Sequence, residues 1–267
     1  MLAEQRRRLI VTALERSSFV ALCDAVELTG ASEATVRRDF SLLETEGVVR
    51  RHRGGVEIRR RDGAVAGRTT SAPRSEPLVS LPLDLRLAVQ DEAKRMIADR
   101  AAIMCAEGRT VFLDAGSTAL RLAHHLAAMP VRVLTNSFAA ARVLFDGGVA
   151  EVVLTGGQID RSSEVVFSYE DVGIIESYPP DVAFLGAQGI DENGYYNSDE
   201  RLIRLERQVA RVASRTVLVA DGSKFGKRGR IRVAPLSELN TIVTDGPVGE
   251  QYESVLAAAG VELIKVR

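Results

Sequence analysis

The chain has 267 residues, 46% hydrophobic and 27% charged, with a formal net charge of -1. That much apolar material excludes a wholly disordered chain, and the length suits one large domain plus a small one. It has no uncharged apolar run of about 18 residues, and charges run through MLAEQRRRLIVTALERSS where a signal peptide needs its apolar block, so a cytoplasmic protein with no membrane span is expected.

The charge is unevenly spread. Residues 1 to 61 hold 12 Lys+Arg and 9 Asp+Glu, a net +3, and the remainder holds 23 and 27, a net -4. A basic end on an acidic body is the pattern of a small nucleic-acid module joined to a soluble domain. Cys23 and Cys105 stand in apolar helical contexts with no CxxC or Cys/His spacing, so buried reduced thiols are expected rather than a disulfide or metal site.

The first helix is expected from Glu4 to Arg16, with Leu9, Ile10, Ala13 and Leu14 at helical spacing beside Arg6, Arg7 and Arg8. A second runs from Val20 to Leu28, and Thr29-Gly30-Ala31 forms a turn before Ser32, a good N-cap residue. In the third, which contains ATVRRDFSLLE, Val36, Phe40 and Leu43 make the core stripe and turn Ala34, Arg37, Arg38, Ser41 and Thr45 outward. Gly47 stops it, and Val48 to Ile58 reads as a hairpin tipped by Arg53-Gly54-Gly55. This is the order of a winged helix-turn-helix.

Arg37 and Arg38 lie about 100 degrees apart on their helix, so one can address base edges while the other meets phosphate. For an isolated helix, a solvated face with Glu33 and Asp39 as partners would be the better reading. Here a turn precedes the pair, and Arg50, Arg51, His52 and Arg53 follow where a wing would meet the DNA backbone. The expected DNA-binding set is Ser32, Thr35, Arg37, Arg38, Ser41, Arg50, Arg51, His52 and Arg53.

Residues 59 to 88 mix basic residues, Gly, Ser, Thr and Pro with little periodicity and read as a linker. Beyond it, a helix over Gln90 to Ala106 precedes apolar strands at Thr110 to Leu113, Val131 to Thr135, Glu151 to Leu154, Val182 to Leu185, Thr216 to Ala220, Thr241 to Thr244 and Glu262 to Val266. Helices are expected at Ser117 to Ala128, Phe138 to Phe145, Asp199 to Ser214 and Gly249 to Ala259. Buried strands alternating with helices give a mostly parallel α/β sheet with helices on both faces.

After the first of these strands, Gly116 permits close approach, and Ser117 and Thr118 offer hydroxyls and N–H groups at a positive helix end suited to a phosphate. One such turn is weak evidence, because Ser or Thr at a helix start is usually a cap. Four further strand ends carry the same chemistry: Thr135-Asn136-Ser137, Thr155-Gly156-Gly157, Gly186-Ala187-Gln188-Gly189 and Asp221-Gly222-Ser223-Lys224. Five such ends in a parallel sheet line one crevice, which favours a small polar ligand. Lys224 lacks the Gly spacing of a Walker A motif, no GxGxxG follows the first strand, and adjacent His124 and His125 cannot share a helix face as a metal pair would, so no cofactor or metal is expected.

Residues 6 to 56 resemble the N-terminal domain of the DeoR-type bacterial transcription regulators, through TVRRDFSLLE, Gly47 and the Gly54-Gly55 pair. Two positions depart from the family pattern: Phe40 stands where leucine is commoner, and Arg53 where a histidine usually precedes the glycines, with His52 one place earlier. Lys94-Arg-Met-Ile-Ala, FLDAGST, LTNS, LTGG, FLGAQGID followed by Gly194, and ADGSKFG resemble that family's sensor domain over residues 89 to 267. The resemblance implies a fold similar to ribose-5-phosphate isomerase and binding of a phosphorylated sugar or related metabolite. It implies roles for Asp114, Gly116, Ser117 and Thr118 at the phosphate, and for Asn136, Gly157, Gln188, Glu206 and Lys224 nearby. Together with the strand-end residues, the expected effector set also includes Thr135, Ser137, Gly156, Gly186 and Gly189.

A sugar-phosphate isomerase carrying a DNA-binding domain is the competing reading, since Glu206 and Lys224 offer a base and a cation. Against it, the strand from Val182 ends in Gly-Ala-Gln-Gly, where the isomerases carry an acidic motif. The expected organisation is residues 1 to 58 as the DNA-binding domain, 59 to 88 as the linker and 89 to 267 as the sensor. The expected function is a repressor of a carbohydrate-metabolism operon, binding operator DNA as a homodimer or homotetramer and binding without turnover a phosphorylated sugar.

Overall fold

The structure, a computed structural model, describes residues 2–17, 19–52, 54–59, 83–161, 163–168 and 173–266. Arg53 and most of the segment read as a linker lie outside them. The chain divides into two compact units, Met1–Val89 and Gln90–Arg267.

The first unit runs α1 (Ala3–Ser17), β1 (Phe19–Ala21), α2 (Leu22–Thr29), α3 (Glu33–Thr45), β2 (Val49–His52), β3 (Gly55–Ile58) and α4 (Leu83–Ala88). Its core joins Ile10, Ala13 and Leu14 of α1 to Ala25 of α2 and to Val36, Phe40 and Leu43 of α3, the stripes that helical spacing picks out. Each larger side chain contributes roughly 1.5–3 kcal/mol when fully buried. One expectation fails. Val20 does not open the second helix but sits in β1, which pairs antiparallel with β3 and makes a three-stranded sheet of order β1-β3-β2. Phe19 and Val20 are good strand residues, and Gly55 lets them close in, since a Cβ there would stand 2.4 Å from the Val20 carbonyl oxygen. The segment read as a linker also ends in the helix α4.

The second unit runs α5 (Asp91–Ala102), β4 (Thr110–Leu113), α6 (Ser117–Leu126), β5 (Arg132–Thr135), α7 (Phe138–Gly147), β6 (Glu151–Leu154), β7 (Gln158–Ile159), β8 (Val166–Phe167), α8 (Gly173–Ser177) and β9 (Val182–Leu185). It continues with β10 (Gly189–Asp191), β11 (Gly194–Asn197), α9 (Glu200–Val212), β12 (Thr216–Val219), β13 (Ile231–Ala234), β14 (Thr241–Asp245), α10 (Glu250–Ala258) and β15 (Glu262–Val266). Seven strands form a sheet of order β15-β14-β12-β9-β4-β5-β6, parallel throughout. Phe112, Leu134, Ala183, Leu185, Leu218 and Ile242 pack with Ile175 of α8, with Ile203, Leu205 and Val209 of α9 and with Leu256 of α10. The alternate strand residues turn to the opposite face, where α5 packs against β14 and α7 against β6.

The chain steps outward from β4 through β5 to β6, then returns to place β9 on the other side of β4 and steps outward again. The point between β4 and β9, where the winding reverses, opens a crevice at the carboxyl ends of the strands. A second, antiparallel sheet of order β10-β11-β13 was not expected from the sequence, and Asn197 ends its middle strand. At the far edge, α7 carries apolar residues on both faces: Ala139, Ala140 and Leu144 are buried, while Phe145 is 78% exposed and Val149 just beyond it 52%. Beside it, β6 has no strand partner on its outer edge among the described residues.

Cys23 is exposed rather than buried as expected, and Cys105 is half-buried. Desolvation pushes the Cys23 thiol up to about 11 and Cys105 up to about 12, so neither is a thiolate near neutral pH.

Candidate functional site

In the first unit the side chains of α3 divide as helical phase requires. Ser32 caps the helix by accepting from the Thr35 N–H at 3.3 Å, and the two hydroxyls lie 2.9 Å apart. Asp39, one of the two acids weighed as surface partners for the arginines, is buried and takes a bidentate contact from Arg6 at 2.6 and 3.1 Å. The other, Glu33, does meet Arg37, at 3.4 Å with both side chains mainly in solvent. Arg38 and Arg50 are exposed and have no ion-pair partner among the described residues.

The hairpin β2-β3 is fastened to α3. Arg51 donates to the Ser41 hydroxyl at 2.9 Å, and its backbone N–H donates to Glu44 at 3.1 Å. His52 lies 2.9 Å from Glu57. Arg51 and Ser41 therefore hold the wing against the helix, which leaves Arg38 and Arg50 as the cations most available to an incoming polyanion.

In the second unit the crevice between β4 and β9 gathers buried polar groups from five elements. Asp114, just past β4, is 2% exposed; it accepts from Asn136 Nδ2 at 3.0 Å and from the Gly186 N–H at 3.4 Å. Asn197 donates to Glu206 Oε1 at 2.7 Å and to the Gly186 carbonyl at 3.5 Å, and accepts from the Gln188 N–H at 3.1 Å. Glu206, on the inner face of α9, is 1% exposed. Burial first, and the Asp114 carboxylate second, push its carboxyl well above the usual carboxylate range, while Asn197 pulls the other way. Burial likewise raises the Tyr195 phenol, and Glu206 and Asp114 add to it.

The helix α6 begins at this crevice with Ser117 and Thr118 largely buried in its first turn. Gly116 before it is extended, and a Cβ there would meet nothing within 4 Å, so it leaves open space over the helix end rather than relieving a clash. The first N–H groups of a helix have no intrahelical carbonyl and face the space ahead of it with a partial positive charge. Lys224 lies in a 3-10 turn, Gly222–Lys224, and is 8% exposed; the turn is held by Asp221, which accepts from the Ser223 N–H, and by Asp245, which accepts from the Gly222 N–H at 2.7 Å.

Other expected residues have structural occupations. The Thr135 hydroxyl donates to the Leu113 carbonyl at 2.6 Å and accepts from the Ser137 N–H, and Ser137 caps α7 by accepting from the Ala140 N–H. Gly157 at φ 124 makes way for the Phe167 carbonyl, which would lie 2.2 Å from a Cβ, and Gly189 for that of Lys227, at 2.4 Å. Gly156 is exposed, as is the Gln188 side chain. Sequence reasoning missed Asn197 and Tyr195 as site members; the Asn193-Gly194 pair, a strong hairpin marker that falls at the turn into β11, would have placed that strand and its terminal Asn197. A second groove, on the outer face of α9 between Glu176, Arg204 and Arg211, is lined by exposed charges and lacks any such buried convergence.

A small unit with a basic, capped third helix and a fastened hairpin, in one chain with a doubly wound parallel unit that opens a polar crevice, is the make-up of a ligand-responsive DNA-binding regulator. Residues 6–62 match the DeoR-like helix-turn-helix domain and residues 89–246 the DeoR C terminal sensor domain, so the chain belongs to the DeoR family of transcription regulators. It is 32% identical over 267 residues to the HTH-type transcriptional regulator GlpR of Haloferax volcanii, covering 99% of this chain and 98% of that one. It is 29% identical over 264 residues to the putative aga operon transcriptional repressor of Escherichia coli O157:H7, covering 98% and 93%. Ribose 5 phosphate isomerase A from Neisseria gonorrhoeae is similar at 20% identity with a TM-score of 0.40, over 52% of this chain and 56% of that chain. The family is one of DNA-binding regulators, and the isomerase alternative gives way to it. Its helix-turn-helix implies DNA as a partner and its sensor domain a small-molecule effector. No helix among the described residues is long and apolar enough to cross a membrane.

Proposed function

We propose that this chain is a cytoplasmic repressor of a carbohydrate-metabolism operon whose affinity for double-stranded operator DNA is set by a phosphorylated sugar or related metabolite. Residues 1–58 are the DNA-binding domain, 59–88 the linker and 89–267 the effector domain. Arg37 and Arg38 read the operator from α3, Ser32, Thr35 and Ser41 shape its contact face, and Arg50, Arg51, His52 and Arg53 are the wing that meets phosphate. The phosphate of the effector sits at the Asp114, Gly116, Ser117 and Thr118 turn, with Lys224 as the nearby cation, and the effector's other oxygens meet Asn136, Gly186, Gln188 and Glu206. Thr135, Ser137, Gly156, Gly157 and Gly189 shape the crevice. The name of the aga operon repressor supports the sign of regulation.

The observation that carries this reading is the meeting, at the β4/β9 reversal, of an open helix start with a polar cluster on five other elements. Coupling requires that the effector favour one arrangement of the protein over another. Thermal-shift measurements against phosphorylated and unphosphorylated sugars, paired with binding to the chain's own upstream DNA, test it. Stabilisation by phosphorylated sugars alone and a matching change in DNA affinity are expected; no stabilisation by any phosphorylated sugar overturns the effector half.

One recognition helix buries little surface, so two or four copies bind repeated half-sites. The exposed stripe of α7 beside the open edge of β6 is the face a second copy covers. Phe145→Asp should give monomers in sedimentation without lowering the melting temperature of the sensor unit; unchanged oligomers would move the interface elsewhere.

A further inference from the structure

In the first unit a charged side chain lies within the buried stripe of α3. Val36, Phe40 and Leu43 face the core, and Asp39 is buried among them. Its partner comes from α1. Arg6, one helical turn before the core residue Ile10, donates through Nε at 2.6 Å and through Nη2 at 3.1 Å, one bond to each carboxylate oxygen. The two side chains are 13% and 4% exposed. Beside it Arg7 donates to Glu46, the residue that ends α3, at 3.3 Å and nearer to solvent. Arg6 and Arg7 are thus committed to acids of their own unit, although they belong to a basic run, Arg6-Arg7-Arg8, that the sequence alone offers to DNA.

What such a pair adds is direction. Burying an ion pair takes both charges out of water, and apolar residues of similar volume are often as stabilising, so stability does not account for it. Apolar contact is non-directional and discriminates poorly between small rolls of α3 on its stripe, whereas a fork of two N–H groups on a carboxylate holds one geometry. Asp39 directly follows Arg37 and Arg38, so whatever fixes its direction fixes theirs. Side-chain tips stand about 5–6 Å from a helix axis, and a roll of about 30 degrees carries them about 3 Å, the full length of a hydrogen bond. Glu46 lies two turns beyond Asp39, about 10 Å by helix rise, so the Arg7 contact adds a second point that sets the line of α3.

We infer that Arg6 and Asp39 are positioning residues for operator recognition: with α3 as the recognition helix proposed above, their paired bonds hold it at the roll angle from which Arg37 and Arg38 address the DNA, and neither touches DNA itself. Loss of the pair removes discrimination between sequences before it removes attraction to phosphate, because attraction needs only exposed cations and discrimination needs them aimed.

The test uses the full chain, the DNA upstream of its own coding sequence and an unrelated duplex of the same length. Arg6→Met/Asp39→Leu exchanges the pair for apolar side chains and should melt close to the parent. Measured below the lowest melting temperature, its affinity ratio between the two duplexes should fall about tenfold or more, while affinity for the unrelated duplex and its salt slope stay at the parent's values. Arg6→Lys, which keeps the charge and loses the fork, should fall part of the way. An apolar pair with the parent's ratio overturns the proposal, since the ion pair would then be core and nothing more. A salt slope lower by about one in the Arg6 variants also overturns it, by making Arg6 a phosphate contact. If the apolar pair does not fold, Arg6→Lys and Asp39→Asn decide by the same ratio, an unchanged ratio in both again overturning it. Arg38→Ala separates the two levels. If it too leaves the ratio untouched, the reading of α3 as the recognition helix fails and the positioning role falls with it; if it lowers the ratio while the apolar pair does not, only the positioning role is lost.

Discussion

The two units hold their most prominent charges in opposite environments. On α3, Arg37 is 58% exposed and Arg38 is exposed beside it, so neither is desolvated in the folded chain. In the sensor unit, Asp114, Glu206, Lys94 and Lys224 are all at least nine-tenths buried. A polyanion such as DNA attracts exposed cations over a Debye length and needs no pocket, whereas a small ligand is told from its analogues only where its groups replace water in a dry site. Exposed charges can therefore be changed at little cost to the fold, and buried ones cannot.

Removing a member of the buried set should have the largest effect on stability. Asn197→Ala deletes the donor to the buried Glu206 Oε1, while the Gln188 N–H keeps the Tyr196 carbonyl at 2.9 Å. Leaving that carboxyl oxygen unsatisfied costs about 1–3 kcal/mol. Urea denaturation of the sensor unit should show a loss of that order or more; a loss below about 0.5 kcal/mol would mean that water already serves that oxygen and would break the contrast between the units.

Arg38→Ala is the reverse case. Operator affinity should fall by roughly 1–3 kcal/mol if the side chain reads a base, or uniformly across sequences with a salt slope lower by about one if it meets phosphate. Melting temperature should hardly move, because the guanidinium has no ion-pair partner to lose among the described residues. A variant that keeps full affinity removes Arg38 from the recognition surface.

Glu206 gives the sensor a pH dependence that α3 should lack. Its carboxyl is raised in the fold, so between its ordinary unfolded value and the folded one the native state holds a proton that the unfolded chain has released. That contribution is fully present below the unfolded value and is lost as pH rises through the folded one, by at most about 1.4 kcal/mol per pH unit. Sensor stability should therefore decline on raising pH from 5 toward 8, and Glu206→Gln should remove that part of the slope. An identical slope in the variant would assign it to other groups.

The same contrast governs what the sequence makes legible. Helical phase alone turns Arg37 and Arg38 away from Val36, Phe40 and Leu43, and the strand ends announce themselves as apolar runs that stop at polar residues. Which strand end meets which is a matter of topology: Asp114 and Gly186 lie 72 positions apart and touch because β9 returns beside β4. Asn197 is hard to find in the sequence because its short hairpin, β10-β11, belongs to a second, antiparallel sheet outside the strand-helix alternation. Glycines mislead for a related reason, since an absent side chain does not say what it makes room for; at Gly157 and Gly189 it is the protein's own carbonyls. Phe19–Ala21 was lost because a three-residue strand between two helices shows no alternation, only its pairing with Gly55 to Glu57.

The smallest expected effect sharpens the exposed side of the comparison. Glu33 and Arg37 meet at 3.4 Å at helical i, i+4 spacing, with both side chains mainly in water. Such pairs contribute about 0.2–0.5 kcal/mol, and Glu33 also sits in the first turn of α3, where a negative charge suits the helix dipole. Glu33→Gln should thus lower the stability of the first unit by no more than about 0.5 kcal/mol. On DNA the sign reverses. The variant removes an anion from the face proposed to approach DNA and releases Arg37 from its only ion pair among the described residues, so operator affinity should rise and its salt dependence steepen. Titrations of parent and variant at several salt concentrations decide the point: a weaker operator complex would mean that Glu33 orients Arg37 for its base contact rather than competing with the DNA for it.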